Sequence, residues 1–152
     1  MKRLAVGVLD TSALLAALGG EPSAPAFLEG FACCDRLVIG DATLAESFVV
    51  VRARKGAAGV ALMDEFLVAL GVAACPTDAR QMAHFRRGFE RYGKGVHPAG
   101  LNFGDLFAYA LAMTLEAPLF FQGRDFSRTD VSGAMAALGY AHSAAGEPRA
   151  RK

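Results

Sequence analysis

Cysteine and histidine are both scarce in this 152-residue chain, three of each. Cys33 and Cys34 are adjacent, Cys75 stands alone, and His84, His97 and His142 are scattered, so no spacing typical of a zinc site is present. An odd cysteine count of this kind reads as small buried apolar residues in a reducing compartment. A membrane span is lacking too. Asp64 and Glu65 divide even the most apolar region, which keeps every run below the roughly 18–20 residues needed to cross a bilayer. Lys2 and Arg3 precede an apolar segment in the manner of a secretion signal, but Asp10 ends it short of the roughly 7–15 residues of a signal core. The expectation is a soluble, cytoplasmic protein with no membrane partner. Finally, neither sign of charge dominates: 16 Lys and Arg against 15 Asp and Glu leave a net charge of +1. Bulk electrostatics therefore selects no partner, and any polyanion must be met by a local patch.

What is present is an apolar chain of single-domain length, 53% hydrophobic, with enough material for a substantial core. Leu4–Leu9 is a wholly apolar run, as in a strand covered on both faces, and a helical pattern follows from Thr11 to Leu18, ended by Gly19 and Gly20. The pattern continues as a helix from Ser23 to about Cys33, a strand at 36–39, a helix from Asp41 to Lys55 stopped by Gly56, and another from Gly59 to Leu70. Then come a strand at 72–75, a helix from Thr77 or Asp78 to Tyr92, a loop at 93–100, a helix at 102–116 and a strand at 119–122. Strands alternating with helices predict an α/β sandwich around a parallel sheet. One domain is expected over 1–143, and 144–152, with its Gly, Pro and Arg residues, reads as an unstructured basic tail.

Four carboxylates stand at the joints of this pattern, and each has a structural reading beside a chemical one. Asp10 sits where a buried strand hands over to a helix, beside the crevice that borders the carboxyl ends of parallel strands. It is equally suited to cap that helix. Glu46 follows Thr43 in the spacing of a capping box, yet its helix is apolar both on its own face, at Val49 and Val50, and on the opposite one, at Leu44, Phe48 and Val51, so the helix is expected to be buried. Asp105 follows the candidate cap Asn102, although Asp is a less usual partner there than Glu. Asp125 falls in the turn after the last strand, where a polar residue is ordinary.

Taken together, all four acids can converge on one edge of the sheet, where they would repel one another strongly. Either some are protonated or a divalent cation neutralises them. Oxygen ligands without His or Cys select Mg²⁺ or Mn²⁺, and such an ion can activate water against a phosphodiester.

Leu9-Asp10-Thr11-Ser12, Leu44-Ala45-Glu46, Leu101-Asn102-Phe103-Gly104-Asp105 with Ala108 and Ala112, and Gly123-Arg124-Asp125-Phe126 occur in that order. With these motifs the chain, over about residues 4 to 140, resembles the PIN-domain ribonucleases of the VapC toxin type. The resemblance implies a three-layer sandwich with a mainly parallel central sheet. It implies Asp10 and Asp105 as principal metal ligands for Mg²⁺ or Mn²⁺, Glu46 as ligand or water positioner, and Asp125 as the fourth acid, with Asp130 or neither as the alternatives because many members carry an acid at the place of Gly123. Thr11 or Ser12 would orient the metal shell or the scissile phosphate. It also implies RNA as substrate, a homodimer, and a small antitoxin whose tail fills the acidic site.

A basic stripe of Arg80, His84, Arg87 and Arg91, extended by Arg86, Lys94 and His97, lies opposite a predicted core face of Met82, Phe85, Phe89 and Tyr92. It is either an RNA phosphate contact or the solvated side of an amphipathic helix. Two rivals to the nuclease reading remain at this level. One is a binding or assembly module without catalysis. The other is a phosphatase using Asp10 as nucleophile, which would want an acid where Ser12 stands.

Overall fold

The computed structural model describes residues 2–149. Four parallel strands, β1 (Leu4–Leu9), β2 (Cys34–Gly40), β3 (Ala73–Cys75) and β4 (Leu119–Phe120), form one sheet in the order β3-β2-β1-β4. Around it run α1 (Thr11–Leu18), α2 (Ala24–Ala32), α3 (Asp41–Ala69), α4 (Ala79–Tyr92), α5 (Phe103–Leu115) and the short α6 (Ala134–Ala137). The sandwich has three layers, and the alternation of side chains along the strands builds it. Leu9, Leu37, Ile39 and Phe120 enter the core shared with α1, α2, α3 and α6, whereas Val8, Val38, Leu119 and Phe121 enter the core shared with α4 and α5. Central strands covered on both faces lose the polar alternation of a half-exposed sheet, which is why β1 reads as continuously apolar.

Gly56 breaks α3 as the sequence implies. It takes a left-handed φ of 69° that a non-glycine residue rarely adopts, but the helix resumes at once, so the expected gap is only a kink. Two packing expectations are corrected. The first half of α3 is not buried on both sides: Thr43, Ser47 and Val51 face the core, while Phe48 and Val49 are 49% and 62% exposed. On α4 the buried seam is Gln81, Gly88 and Tyr92 with Phe85 partly covered, and the expected core residues Met82 and Phe89 are largely exposed. The seam is displaced because Gly88 lets α4 lie against the Tyr109 ring of α5; a Cβ at Gly88 would stand 2.6 Å from Tyr109 Cε1.

That ring cannot give way freely, since the Tyr109 hydroxyl donates to Asp130 at 2.7 Å and Asp130 in turn pairs with Arg91 at 3.3 Å. Gly88→Ala should therefore destabilise the protein by about 1–3 kcal/mol, the usual cost of overpacking, despite the better helix propensity of alanine. A shift of the urea midpoint to lower concentration checks this; an unchanged midpoint would mean that α4 slides aside without cost.

Residues 144–149 of the expected tail close a small hairpin with 141–143, while residues 150–152 lie outside the described residues. His142 bridges Pro148 antiparallel, the Ser143 amide donates to the Glu147 carbonyl, and the Arg149 amide donates to the Ala141 carbonyl. No helix among the described residues is long and apolar enough to cross a membrane.

Candidate active site

The strand order places β1 beside β4, with the chain winding away from β1 in opposite directions on its two sides, and ligand crevices of open α/β sheets form at such switch points. An open cavity of about 480 Å³ lies at this edge, lined by Asp10, Thr11, Ser12, Glu46, Asn102 and Asp105 among others.

Asp10 reaches it because β1 ends one residue earlier, and its extended backbone (φ −88°, ψ 154°) also makes it the N-cap of α1. Asp10 thus caps α1 and borders the crevice at once. One oxygen, Oδ2, accepts the Ser12 amide at 3.0 Å and the Ser12 hydroxyl at 2.5 Å, and Oδ1 has no hydrogen-bond partner among the described residues. The Gln122 amide, just beyond β4, donates to Ser12 Oγ at 3.0 Å and fixes that hydroxyl with its proton toward Asp10. Burial raises the Asp10 carboxyl to about 7; the Ser12 bonds oppose this, and the charges of Asp105 and Glu46 add to it.

Glu46 does not form the capping box with Thr43, because α3 starts at Asp41 and Thr43 is already inside the helix, its hydroxyl buried and unpartnered. The Glu46 carboxylate instead accepts the Thr11 hydroxyl at 2.6 Å. Its other oxygen lies against Gly104 in the first turn of α5, where a Cβ would overlap Glu46 Oε2.

Asp105 does form the capping box: it accepts the Asn102 amide at 3.0 Å through Oδ2 while its own amide donates to Asn102 Oδ1 at 2.8 Å. It nevertheless faces the cavity. Burial lifts it to about 6 against the Asn102 hydrogen bond, with smaller contributions from Asp125 and Glu46.

Asp125 is exposed and does not line the cavity, though its charge reaches Asp105. Asp130 is placed elsewhere, in the clasp with Tyr109 and Arg91. Among the described residues, no three His, Cys, Asp or Glu side chains stand close enough together to grip one ion directly.

The PIN domain family matches residues 7–132, the span that contains every one of these acids. The chain belongs to that family. Within it the relatives are of the VapC type: Ribonuclease VapC of Mycolicibacterium smegmatis is 43% identical over 126 residues, covering 82% of this chain and 97% of the relative. Ribonuclease VapC30 of Mycobacterium tuberculosis is 38% identical over 125 residues, covering 82% and 95%. Among solved structures, the VapC20 toxin of Mycobacterium tuberculosis, described as cleaving the sarcin-ricin loop, superposes with a TM-score of 0.66 at 16% identity over 82% of this chain and 95% of its own. VapBC2 from Rickettsia felis, bound to a DNA fragment from its promoter, gives 0.66 at 18% identity over 84% and 96%. These two show the shared fold.

Several residues of this PIN domain at or against the cavity were not anticipated from the sequence: Glu21 lines it, accepting the Gln122 side-chain amide at 2.6 Å, and three more bear on the acids. Arg54 lines the cavity from α3, two turns beyond Glu46 on the face that also carries Val50, a spacing visible in the sequence once Glu46 is taken as an anchor. Gly104 stood inside a quoted motif without a role. Glu147 comes from the supposed tail and carries no local signal. Of the basic stripe, none of Arg80, Arg87 and Arg91 lines the cavity. Arg91 is paired with Asp130, and Arg80 and His84 border a separate cavity of about 420 Å³ near the end of α5.

Proposed function

We propose that this PIN domain is a metal-dependent endoribonuclease, the toxin of a toxin-antitoxin pair. The observation that carries this reading is the convergence of Asp10, Glu46 and Asp105, from three separate elements, on one cavity at the carboxyl edge of the sheet. Two of these acids, Asp10 and Asp105, are pushed toward neutrality by burial and by neighbouring carboxylates, the electrostatic situation that a hard cation relieves. Mg²⁺ is commonly held by only one or two carboxylates and keeps several waters, so an oxygen-only set that does not enclose the ion fits it, and Mn²⁺ would serve equally.

Asp10 and Asp105 would hold the ion, which when bound activates a water and offsets charge on the in-line transition state. The protein's own contribution is positional. Ser12, fixed by Gln122, holds Asp10 with one oxygen engaged and the other available. Thr11 spends its hydroxyl on Glu46, so Glu46 is aimed across the cavity to orient the attacking water. Neither hydroxyl is left to touch the phosphate, so both act through the acids. Asp125 acts at the rim through the field at Asp105. Arg54 supplies the cation lining the cavity and would bind a phosphate oxygen, with Arg80 and Arg87 as remote backbone contacts.

The named relatives are ribonucleases, and solved neighbours include VapBC complexes from Rickettsia felis and Haemophilus influenzae, which supports RNA as substrate and a small antitoxin as partner. Exposed Phe48, Val49 and Phe103 offer apolar surface for that partner or for a second copy in a homodimer. A phosphatase with Asp10 as nucleophile is disfavoured, because Ser12 stands where the second acid would be and already binds Asp10.

The test is cleavage of an RNA pool with Mg²⁺ or Mn²⁺ and with chelator, beside the Asp10→Asn protein. Cleavage that persists in chelator or in the variant would overturn the mechanism. Arg54→Ala should raise KM about tenfold with a smaller change in kcat, since a charge-assisted phosphate contact is worth roughly 1.5–3 kcal/mol at most and is partly replaced by solvent here. Equal steady-state parameters would remove Arg54 from the substrate path.

A further inference from the structure

The 141–149 hairpin lies beyond the residues matched by the PIN family, yet two of its residues, Ala145 and Glu147, line the acidic cavity. It is held there by a backbone contact that only glycine permits. The Gly123 amide donates to the Gly146 carbonyl at 3.1 Å, both residues have left-handed φ, and a Cβ on Gly146 would overlap the Gly123 carbonyl. Under the hairpin lies a second cavity of about 440 Å³, between it and Phe121, Arg124 and Met135. The hairpin therefore bridges a void at the rim rather than completing the packed core. The Glu147 amide is held by Ser143 Oγ at 3.2 Å, and its carboxylate has no hydrogen bond or ion pair among the described residues.

An unpaired carboxylate has no stabilising task at this rim, and it adds negative charge on the wall formed by the Gly123 loop. Arg54 stands on α3, which follows β2 on one side of β1, whereas the hairpin's anchor Gly123 follows β4 on the other side. We propose that the hairpin is a charged gate in which Glu147 is a specificity-determining residue: it repels phosphates from the Gly123 side, so that the strand to be cut enters along α3, past Arg54. A single strand can meet this asymmetry by lying along one wall. A duplex, with phosphates on both sides, meets Glu147 wherever it docks. The inference rests on the ribonuclease reading for its meaning, but the repulsion itself can be read by binding alone.

The experiment compares the full chain with Glu147→Gln, Glu147→Lys and Gly146→Val, the last of which undocks the hairpin without changing its charge. Binding of a fluorescent single-stranded RNA and of its duplex is measured in Ca²⁺ at low and high salt, and cleavage of both is measured in Mn²⁺. Glu147→Gln should tighten duplex binding about fivefold near 0.01 M salt, Glu147→Lys by more, and Gly146→Val by a similar amount, with the gain vanishing near 1 M salt where screening is complete. Single-strand binding should change less, and the Mn²⁺ affinity should stay the same. Binding independent of the charge at position 147 at every salt concentration would overturn the gate. So would a weakened Mn²⁺ affinity in Glu147→Gln, because Glu147 would then belong to the ion's own shell. If RNA binds with this pattern but is never cut, the nuclease reading fails and the gate stands; if it is cut but position 147 is silent, the reverse holds.

Discussion

Asp10→Asn should abolish RNA cleavage and, in metal-free protein at pH 8, raise the melting temperature by roughly 5–10 °C. The two effects have one cause. Burial lifts the Asp10 carboxyl from 3.8 to about 7, so its folded value lies above its unfolded one. A group shifted in that direction contributes its stability below the unfolded value and loses it as the pH climbs through the folded one. Between about pH 4 and 7, then, ionisation works against the fold, by at most about 4 kcal/mol at 1.36 kcal/mol per pKa unit. Asn keeps the N-cap of α1, since its carbonyl still accepts the Ser12 amide, and it carries no charge to desolvate. At about pH 4, close to the unfolded value, almost none of that penalty has accrued, and the variant should melt close to the parent. Adding Mn²⁺ at about a hundredfold over its dissociation constant should stabilise the parent at pH 8 by about 2.7 kcal/mol and the variant much less. Differential scanning calorimetry at both pH values checks the sign. A variant that melts lower than the parent at pH 8 would show that Asp10 is stabilised as an anion and needs no cation.

The same residue shows how much of this site is legible in the amino-acid sequence. The position of Asp10 follows from one local fact, an apolar run ended by an acid, and the sheet topology that gathers Glu46 and Asp105 around it follows from the alternation of strands and helices. The central strands are readable because burial leaves their carboxyl halves wholly apolar, 7–9 in β1 and 37–40 in β2, whereas the edge strand β3 is short and mostly exposed. What fails is whatever depends on one element meeting another. Phe48 and Val49 look like core residues and are exposed, because the surface of α3 turned to the sheet is the narrower line of Thr43, Ser47 and Val51. Met82 and Phe89 yield the α4 seam to Gly88, whose value lies in an aromatic ring twenty-one residues away, at Tyr109. The Thr43 capping box fails because the helix begins two residues before it, and that frees Glu46 for Thr11. Glu147 joins the cavity only because two glycines without local pattern meet back to back. Local chemistry locates the acids; contact between elements decides what each acid is bonded to.

Gly104→Ala should lower kcat about a hundredfold while leaving the fold as stable as before or slightly more so. Gly104 sits in the first turn of α5 at an ordinary helical position, where alanine is the better helix former by up to about 1 kcal/mol. Its value is the space it leaves. A Cβ there would overlap Glu46 Oε2, and the nearest atoms are all of the Glu46 carboxylate. The carboxylate cannot stay, since the Thr11 bond at 2.6 Å fixes its other oxygen. It must rotate or withdraw by about an ångström, and a displacement of that size in a positioning group costs on the order of 10²-fold. The shorter Glu46→Asp side chain retreats from the new methyl, so the double variant Gly104→Ala with Glu46→Asp should be less impaired than the product of the two single losses, a coupling that independent sites do not show. Strict multiplicativity would mean that the glycine serves helix packing alone and that Glu46 reaches the substrate from some other conformation. Full activity in Gly104→Ala would go further and remove Glu46 from the positioning of water.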